Sequence, residues 1–256
     1  MNIDANINGA AKRQADPDIP LGLYRPIVLC FVALVASAVV FYLFPGIDLA
    51  VSSPFFVRDQ GFYLGKTLPI VAIRNFGISI TVLTIVGLIA VGLWWSLRPD
   101  ALRQWPSVRP WTDWLFMAAC MAVGPGLVVN LIFKPVWGRA RPVHIGQFGG
   151  RDQFTSAWTV AGQCKWNCSF VSGEAAASAL ILAFCFVVPA RWRMTALLAA
   201  CAVTLAVSFA RIAAGGHFFS DVVTAWILML LVILVLRAQI YHGALLGPLK
   251  QWLPSQ

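Results

Sequence analysis

Three short stretches of this chain hold residue types that can act on an anion. The first is Lys134-Pro135-Val136-Trp137-Gly138-Arg139-Ala140-Arg141-Pro142, with three cations inside eight positions. Such a cluster suits an anionic ligand, and equally suits anchoring to lipid headgroups beside a membrane. The second is Val171-Ser172-Gly173-Glu174, followed by Ala175, Ala176 and Ala177. Serine and then glutamate there read as an ordinary helix start. The free N–H groups and positive dipole end of a helix start also suit phosphate, and glycine lets a ligand come close to the backbone. The third runs from Arg211 through Gly215, Gly216 and His217 to Asp221. His217 and Asp221 are four apart, so on a helix they share one face. A carboxylate holding one imidazole nitrogen leaves the other as nucleophile or base. A buried His–Asp pair bracing a helix start has the same spacing, but it leaves Arg211 unexplained.

The elements that must position these groups are set by composition. Of 256 residues, 59% are hydrophobic and 11% charged, and the mean hydropathy is +0.77. A soluble domain is about 45–50% apolar and about 25% charged, and a chain this size cannot bury such an excess. A disordered chain is excluded, and an all-α polytopic membrane protein is expected, as one domain over residues 1–256 with its polar motifs in 134–221 and a polar tail over 1–24. Six apolar runs predict transmembrane helices at Ile27–Phe44, Ile78–Leu97, Trp114–Phe133, Ser172–Val188, Met194–Ala210 and Phe219–Leu236. The first run is too long for the core of a cleaved signal peptide and reads as an uncleaved anchor. A short amphipathic helix is expected at the interface around Phe62–Arg74.

Charge in the loops gives the orientation. With a cytoplasmic N-terminus, ten of the 19 Lys and Arg lie inside, among them Lys12, Arg13, Arg25, Arg98, Arg103, Arg109, Arg191, Arg193, Arg237 and Lys250. Setting aside Lys134, Arg141 and Arg211 as site residues leaves ten inside and six outside. Both termini are therefore expected in the cytoplasm, and all three polar clusters on the outer face. The net charge of +9 is spread among apolar runs, which favours a membrane surface or anionic substrate as partner, with no nucleic acid and no obligate protein partner. Ionisable groups at a membrane edge are expensive, so each cluster is a functional candidate.

Four of the six cysteines, Cys30, Cys120, Cys185 and Cys201, lie in apolar runs and read as small packing residues. Cys164 and Cys168 lie four apart in the long outer loop. They read as a disulfide of an oxidising compartment, as two free thiols, or as half a metal site lacking its other half.

Taken together, the clusters resemble the three-part signature of the type 2 phosphatidic acid phosphatase superfamily: K-x6-R-P, then P-S-G-H, then S-R-x5-H-x3-D. Lys134 with Arg141-Pro142 matches the first in full. Arg211, His217 and Asp221 match the spacing of the third, with Ala210 in place of Ser. The second departs: Val171 stands for Pro and Glu174 for His. The resemblance covers Lys134 to Asp221, and six spans fit the family's membrane branch.

The resemblance implies a mechanism. His217 attacks phosphorus to form a phosphohistidine, which water cleaves, while Asp221 orients the imidazole. Lys134, Arg141 and Arg211 hold the phosphate oxygens, and Ser172 and the Gly173 N–H add donors. These cations do the work of a metal, so no cofactor is implied, and the sequence carries no carboxylate cluster able to hold Mg²⁺. Glu174 stands where the family's histidine protonates the leaving oxygen, and is the expected substitute general acid; His144 is a weaker candidate for the same role. The expected substrate is a membrane lipid phosphate at the periplasmic face of a bacterial inner membrane. The glutamate-bearing variant is similar to lipid A phosphatase-like members. Phe148-Gly149-Gly150, Trp158, Trp166 and the cysteine pair are expected to shape a large headgroup site. A polyprenyl diphosphate phosphatase or a lipid phosphotransferase is the alternative. A scaffold or transporter keeping the fold without catalysis is the rival reading from another class.

Overall fold

The computed structural model describes residues 21–97 and 110–243, whose regular secondary structure is helical apart from two isolated bridges, Val57 with Gly61 and Ile145 with Asp152. Lys12, Arg13, Arg98, Arg103, Arg109, Lys250 and nearly all of the 1–24 tail lie outside the described residues. The long helices are α1 (Leu21–Leu43), α3 (Leu68–Leu97), α4 (residues 110–137), α6 (Arg193–Ala213) and α7 (Phe219–His242). Each is long and apolar enough to cross a bilayer. Leu29, Phe31 and Val32 of α1 and Leu83, Val86 and Ile89 of α3 stand exposed. Helices that are apolar all round, with large side chains left outward, need lipid rather than water around them.

The fourth expected span is shorter than the sequence predicts. It forms α5 (Gly173–Val187), 15 residues with a 3-10 turn at Leu180–Ala183. At about 1.5–2 Å per residue this falls short of a hydrocarbon core of about 30 Å. Pro189 explains its end, because the residue before a proline is driven out of helical conformation, and Val188 is extended at φ −72° and ψ 152°.

The expected interfacial helix at Phe62–Arg74 is also corrected. Tyr63–Lys66 form one 3-10 turn, and α3 begins at Leu68, well before the expected Ile78. Arg74 and Asn75 look like the end of an apolar run, but Arg74 has an acidic partner, Glu174, at 3.3 Å. A charge paired at the membrane edge does not interrupt the helix. The short helix at the loop-bearing end is instead α2 (Gly46–Ser52), tied inward through the buried Asp48.

Helix α4 changes character midway. Pro110–Met121 is α-helical, Ala122–Phe133 is π-helical, and Lys134–Trp137 forms a last turn. Pro125 cannot donate to the preceding turn and its ring crowds the carbonyl there, which favours a widened turn. Asn130 supports this stretch by donating to the Pro125 carbonyl at 2.7 Å.

Helix α7 is central, packed against α1, α4 and α5, while α6 lies between α3 and α5. The core there joins Phe116, Val129, Ala175, Ala179, Val222 and Met229. The alanines of α5 let the backbones come close, as small residues do between membrane helices. Over the outer end, Trp158 packs with Phe133, Trp137 and Phe170, and Phe148 packs with Phe56 and Phe62. These side chains stiffen the long loop rather than line a headgroup site. Of the expected aromatics only Trp166 is open, at 89% exposure.

Gly77 sits where α3 crosses α6, and a Cβ there would lie 2.7 Å from Val207 Cγ2. Gly77→Ala is expected to destabilise by about 1–3 kcal/mol, as overpacking does. Adding Val207→Ala should recover part of that loss in thermal unfolding in detergent.

Candidate active site

All three polar clusters meet at one end of the bundle, where α4 and α6 end and α5 and α7 begin. The centre of that end is Arg139, whose side chain is wholly buried. It donates to Asp221 Oδ1 at 2.5 Å, Asp48 Oδ2 at 2.8 Å, Ser220 Oγ at 2.9 Å and the Thr155 carbonyl at 3.0 Å. Its guanidinium lies 4.2 Å from the Phe218 ring centroid and 5.7 Å from that of Phe154. Asp48 also accepts from the Ser220 N–H at 2.8 Å and the Ser220 hydroxyl at 2.5 Å. One cation thus ties the outer loop, α2 and the start of α7 together. Fully bonded networks of this kind are stable only as a whole, since one missing partner strands a buried charge.

His217 is fixed from this network. Its Nδ1 lies 2.8 Å from the Ser169 carbonyl and 3.6 Å from Asp221 Oδ2. A carbonyl can only accept, so Nδ1 carries the proton and Nε2 keeps its lone pair. The expected direct hold of Asp221 on the imidazole is therefore corrected: 3.6 Å is too long for a hydrogen bond. Asp221 Oδ2 accepts instead from the Ser169 hydroxyl at 2.5 Å and the Phe218 N–H at 2.9 Å. It places the residue whose carbonyl then holds the histidine. Burial lowers the His217 pKa to about 4, Arg211 and Arg141 push the same way, and Asp221 opposes them. The imidazole is neutral at neutral pH, as a nucleophile must be.

The expected phosphate ligands converge. Lys134 reaches over the start of α5, its Nζ 3.0 Å from where a Gly173 Cβ would be. Arg211 Nε lies 3.5 Å from Glu174 Oε2, while Arg74 Nε lies 3.3 Å from Glu174 Oε1. Arg141 donates from Nε and Nη2 to the Asn167 carbonyl, at 3.2 and 2.8 Å. A Cβ at Gly216 would lie 2.3 Å from Arg211 Nη2, so a side chain there would displace that guanidinium. Ser172 is buried, and its hydroxyl accepts from the Ala175 N–H at 3.3 Å, which is helix capping. His144 lines a cleft of about 260 Å³ with Arg141, Val143, Cys164, Trp166 and Asn167. Cys164 and Cys168 are joined as a disulfide.

Sequence reasoning missed Asp48, Ser169, Ser220, Asn167 and the partnership of Arg74, and grouped Arg139 with the ligand-binding cations. Asp48 carried a readable signal: a lone acid in an apolar stretch needs a partner. Ser169, Ser220 and Asn167 carried none, since each acts through contacts made only on folding.

The all-helical bundle, with a neutral histidine and clustered cations at one membrane edge, defines a membrane phosphatase. The family model of the PAP2 superfamily matches residues 113–243, and the chain belongs to that superfamily. It is 31% identical over 222 residues to the lipid A 4′-phosphatase of Francisella tularensis subsp. novicida (strain U112), covering 84% of this chain and 94% of that one. It is 38% identical over 118 residues to the lipid A 4′-phosphatase of Rhizobium leguminosarum, covering 46% of this chain and 51% of that one. In fold it is similar to the crystal structure of a transmembrane PAP2 type phosphatidylglycerolphosphate phosphatase from Bacillus subtilis, with a TM-score of 0.50 at 18% identity, covering 84% of this chain and 95% of that one.

Arg139→Leu is expected to cost about 3–5 kcal/mol, the usual penalty for breaking a buried ion pair, read as a lowered midpoint of thermal unfolding in detergent. A second prediction follows from His217. Below its ordinary pKa of about 6.5 the unfolded chain takes up a proton that the folded site refuses until about pH 4. This contribution to stability is therefore lost as pH falls through that window. The stability advantage of the parent over His217→Asn should shrink between about pH 7 and pH 5; an unchanging gap would mean that the folded imidazole titrates normally.

Proposed function

We propose that this phosphatase removes a phosphate monoester from lipid A at the outer face of a bacterial inner membrane, through a phosphohistidine at His217. The observation that carries the substrate is the 31% identity to a lipid A 4′-phosphatase across 94% of that relative. The neutral imidazole, with Nδ1 bonded to the Ser169 carbonyl at 2.8 Å, supports the nucleophile role.

In this reading the Nε2 lone pair attacks phosphorus, and the bond from phosphorus to the sugar oxygen breaks. Glu174, carrying a proton when substrate is bound, gives it to the departing oxygen and regains one from the water that cleaves the phosphohistidine. Lys134, Arg141 and Arg211 hold the phosphate oxygens and offset the charge that builds there, with Gly173 and Ser172 at the helix start beneath. The place of Glu174 beside Arg211 supports its position at the phosphate site. The ten cytoplasmic cations counted in the sequence support cytoplasmic termini and a periplasmic site.

Envelope lipids from cells with and without the gene are the direct test. Loss of the gene should leave lipid A heavier by one phosphate, and an unchanged lipid A would overturn the substrate. In detergent, His217→Ala should abolish phosphate release. Glu174→Gln should lower kcat by about 10²–10⁴ while a phosphohistidine stays detectable; parent-like turnover would remove Glu174 from the acid role.

A further inference from the structure

The loop closed by Cys164 and Cys168 is short and tied at both ends, and it reaches the proposed phosphate site through one residue. Asn167 accepts from Lys134 Nζ through its side-chain Oδ1 at 2.9 Å. Its backbone carbonyl accepts from Arg141 Nε and Nη2 at 3.2 and 2.8 Å. The residue stands in left-handed conformation at φ 51°, alone among the described non-glycine residues. Asparagine tolerates that region better than most side chains. Two clefts of about 270 and 260 Å³ lie on either side, one with Lys134 and Lys165 and one with Arg141 and His144. Trp166 and Asn167 are the wall common to both.

We propose that Asn167 is a positioning residue that sets Lys134 and Arg141 for phosphate, and that the Cys164–Cys168 ring holds it there. The inference rests on the phosphate-binding role proposed for those two cations. Lys134 and Arg141, brought together at one site, repel and carry long, mobile side chains. Two oxygens of one residue, one on each cation, pull both toward a common point. Arg141 keeps Nη1 and Lys134 keeps two further N–H groups for a ligand.

The neutrality of Asn167 is part of the device. A carboxylate in its place would hold the cations as well, but would compete with the incoming phosphate for them. The ring supplies the rest: a disulfide spanning four residues removes most conformations in which the left-handed carbonyl swings away.

The test compares the parent with Asn167→Gly, Asn167→Asp and the double variant Cys164→Ser/Cys168→Ser. Two readouts are needed: phosphate release from lipid A in detergent, and affinity for inorganic phosphate from thermal shift. Asn167→Gly accepts the left-handed backbone, keeps the carbonyl to Arg141 and loses the oxygen on Lys134. It should raise KM and the phosphate Kd about tenfold, a change of about 1.4 kcal/mol, with kcat nearly unchanged. Asn167→Asp should raise both further, and the double variant should resemble Asn167→Gly. Unchanged phosphate affinity in both Asn167 variants would overturn the proposal, as would lowered thermal stability with KM intact. A parent that neither binds inorganic phosphate nor releases it from lipid would instead overturn the reading of the site itself, a failure visible before any variant is made.

Discussion

Burial of Arg139 is the constraint on which the loop-bearing end of this protein depends. A guanidinium taken wholly out of water is tolerable only with its charge offset and its N–H groups bonded. Two aspartates, a serine and a carbonyl meet that demand, and they come from α2, the long outer loop and α7. Segments far apart in sequence are thereby drawn to one point. The phenyl faces of Phe218 and Phe154 complete the enclosure.

From that point order passes to the reactive group in two steps. Asp221, set by Arg139, receives the Ser169 hydroxyl; Ser169 then presents its carbonyl to His217 Nδ1. The histidine tautomer is thus fixed by a backbone group, and the carboxylate acts one residue away. The ligand-facing cations form a separate layer. Lys134, Arg141 and Arg211 take partners from Asn167 and Glu174 rather than from Arg139. The inner layer is wholly buried around Arg139, while in the second layer Arg211 is buried and its partner Glu174 is partly exposed.

Much of this was legible in the chain. All-helical membrane architecture follows from apolar runs that only a bilayer can accommodate. Lys134, Arg141, Arg211 and His217 are singled out by spacing, and the fold brings them to one end of the bundle, because motif residues lie at the ends of runs whose limits the sequence marks. Errors fell where a local signal had a tertiary answer. Arg74 looked like the boundary of a span until Glu174 was seen beside it. Trp158 and Phe148 looked like headgroup contacts, but pack against other aromatics under the loop.

Hydrophobicity and spacing belong to the chain itself, so the sequence alone determined the all-helical membrane architecture and the polar groups that stand at the ends of its helices. Partnership does not belong to the chain in that way. Asp48 and Asp221 are 173 positions apart, yet Arg139 bonds to both. Which arginine is buried, which carbonyl fixes the histidine and which asparagine spans two cations were decided only by tertiary structure, because hydrogen bonds depend on distances in space that spacing along a chain does not encode.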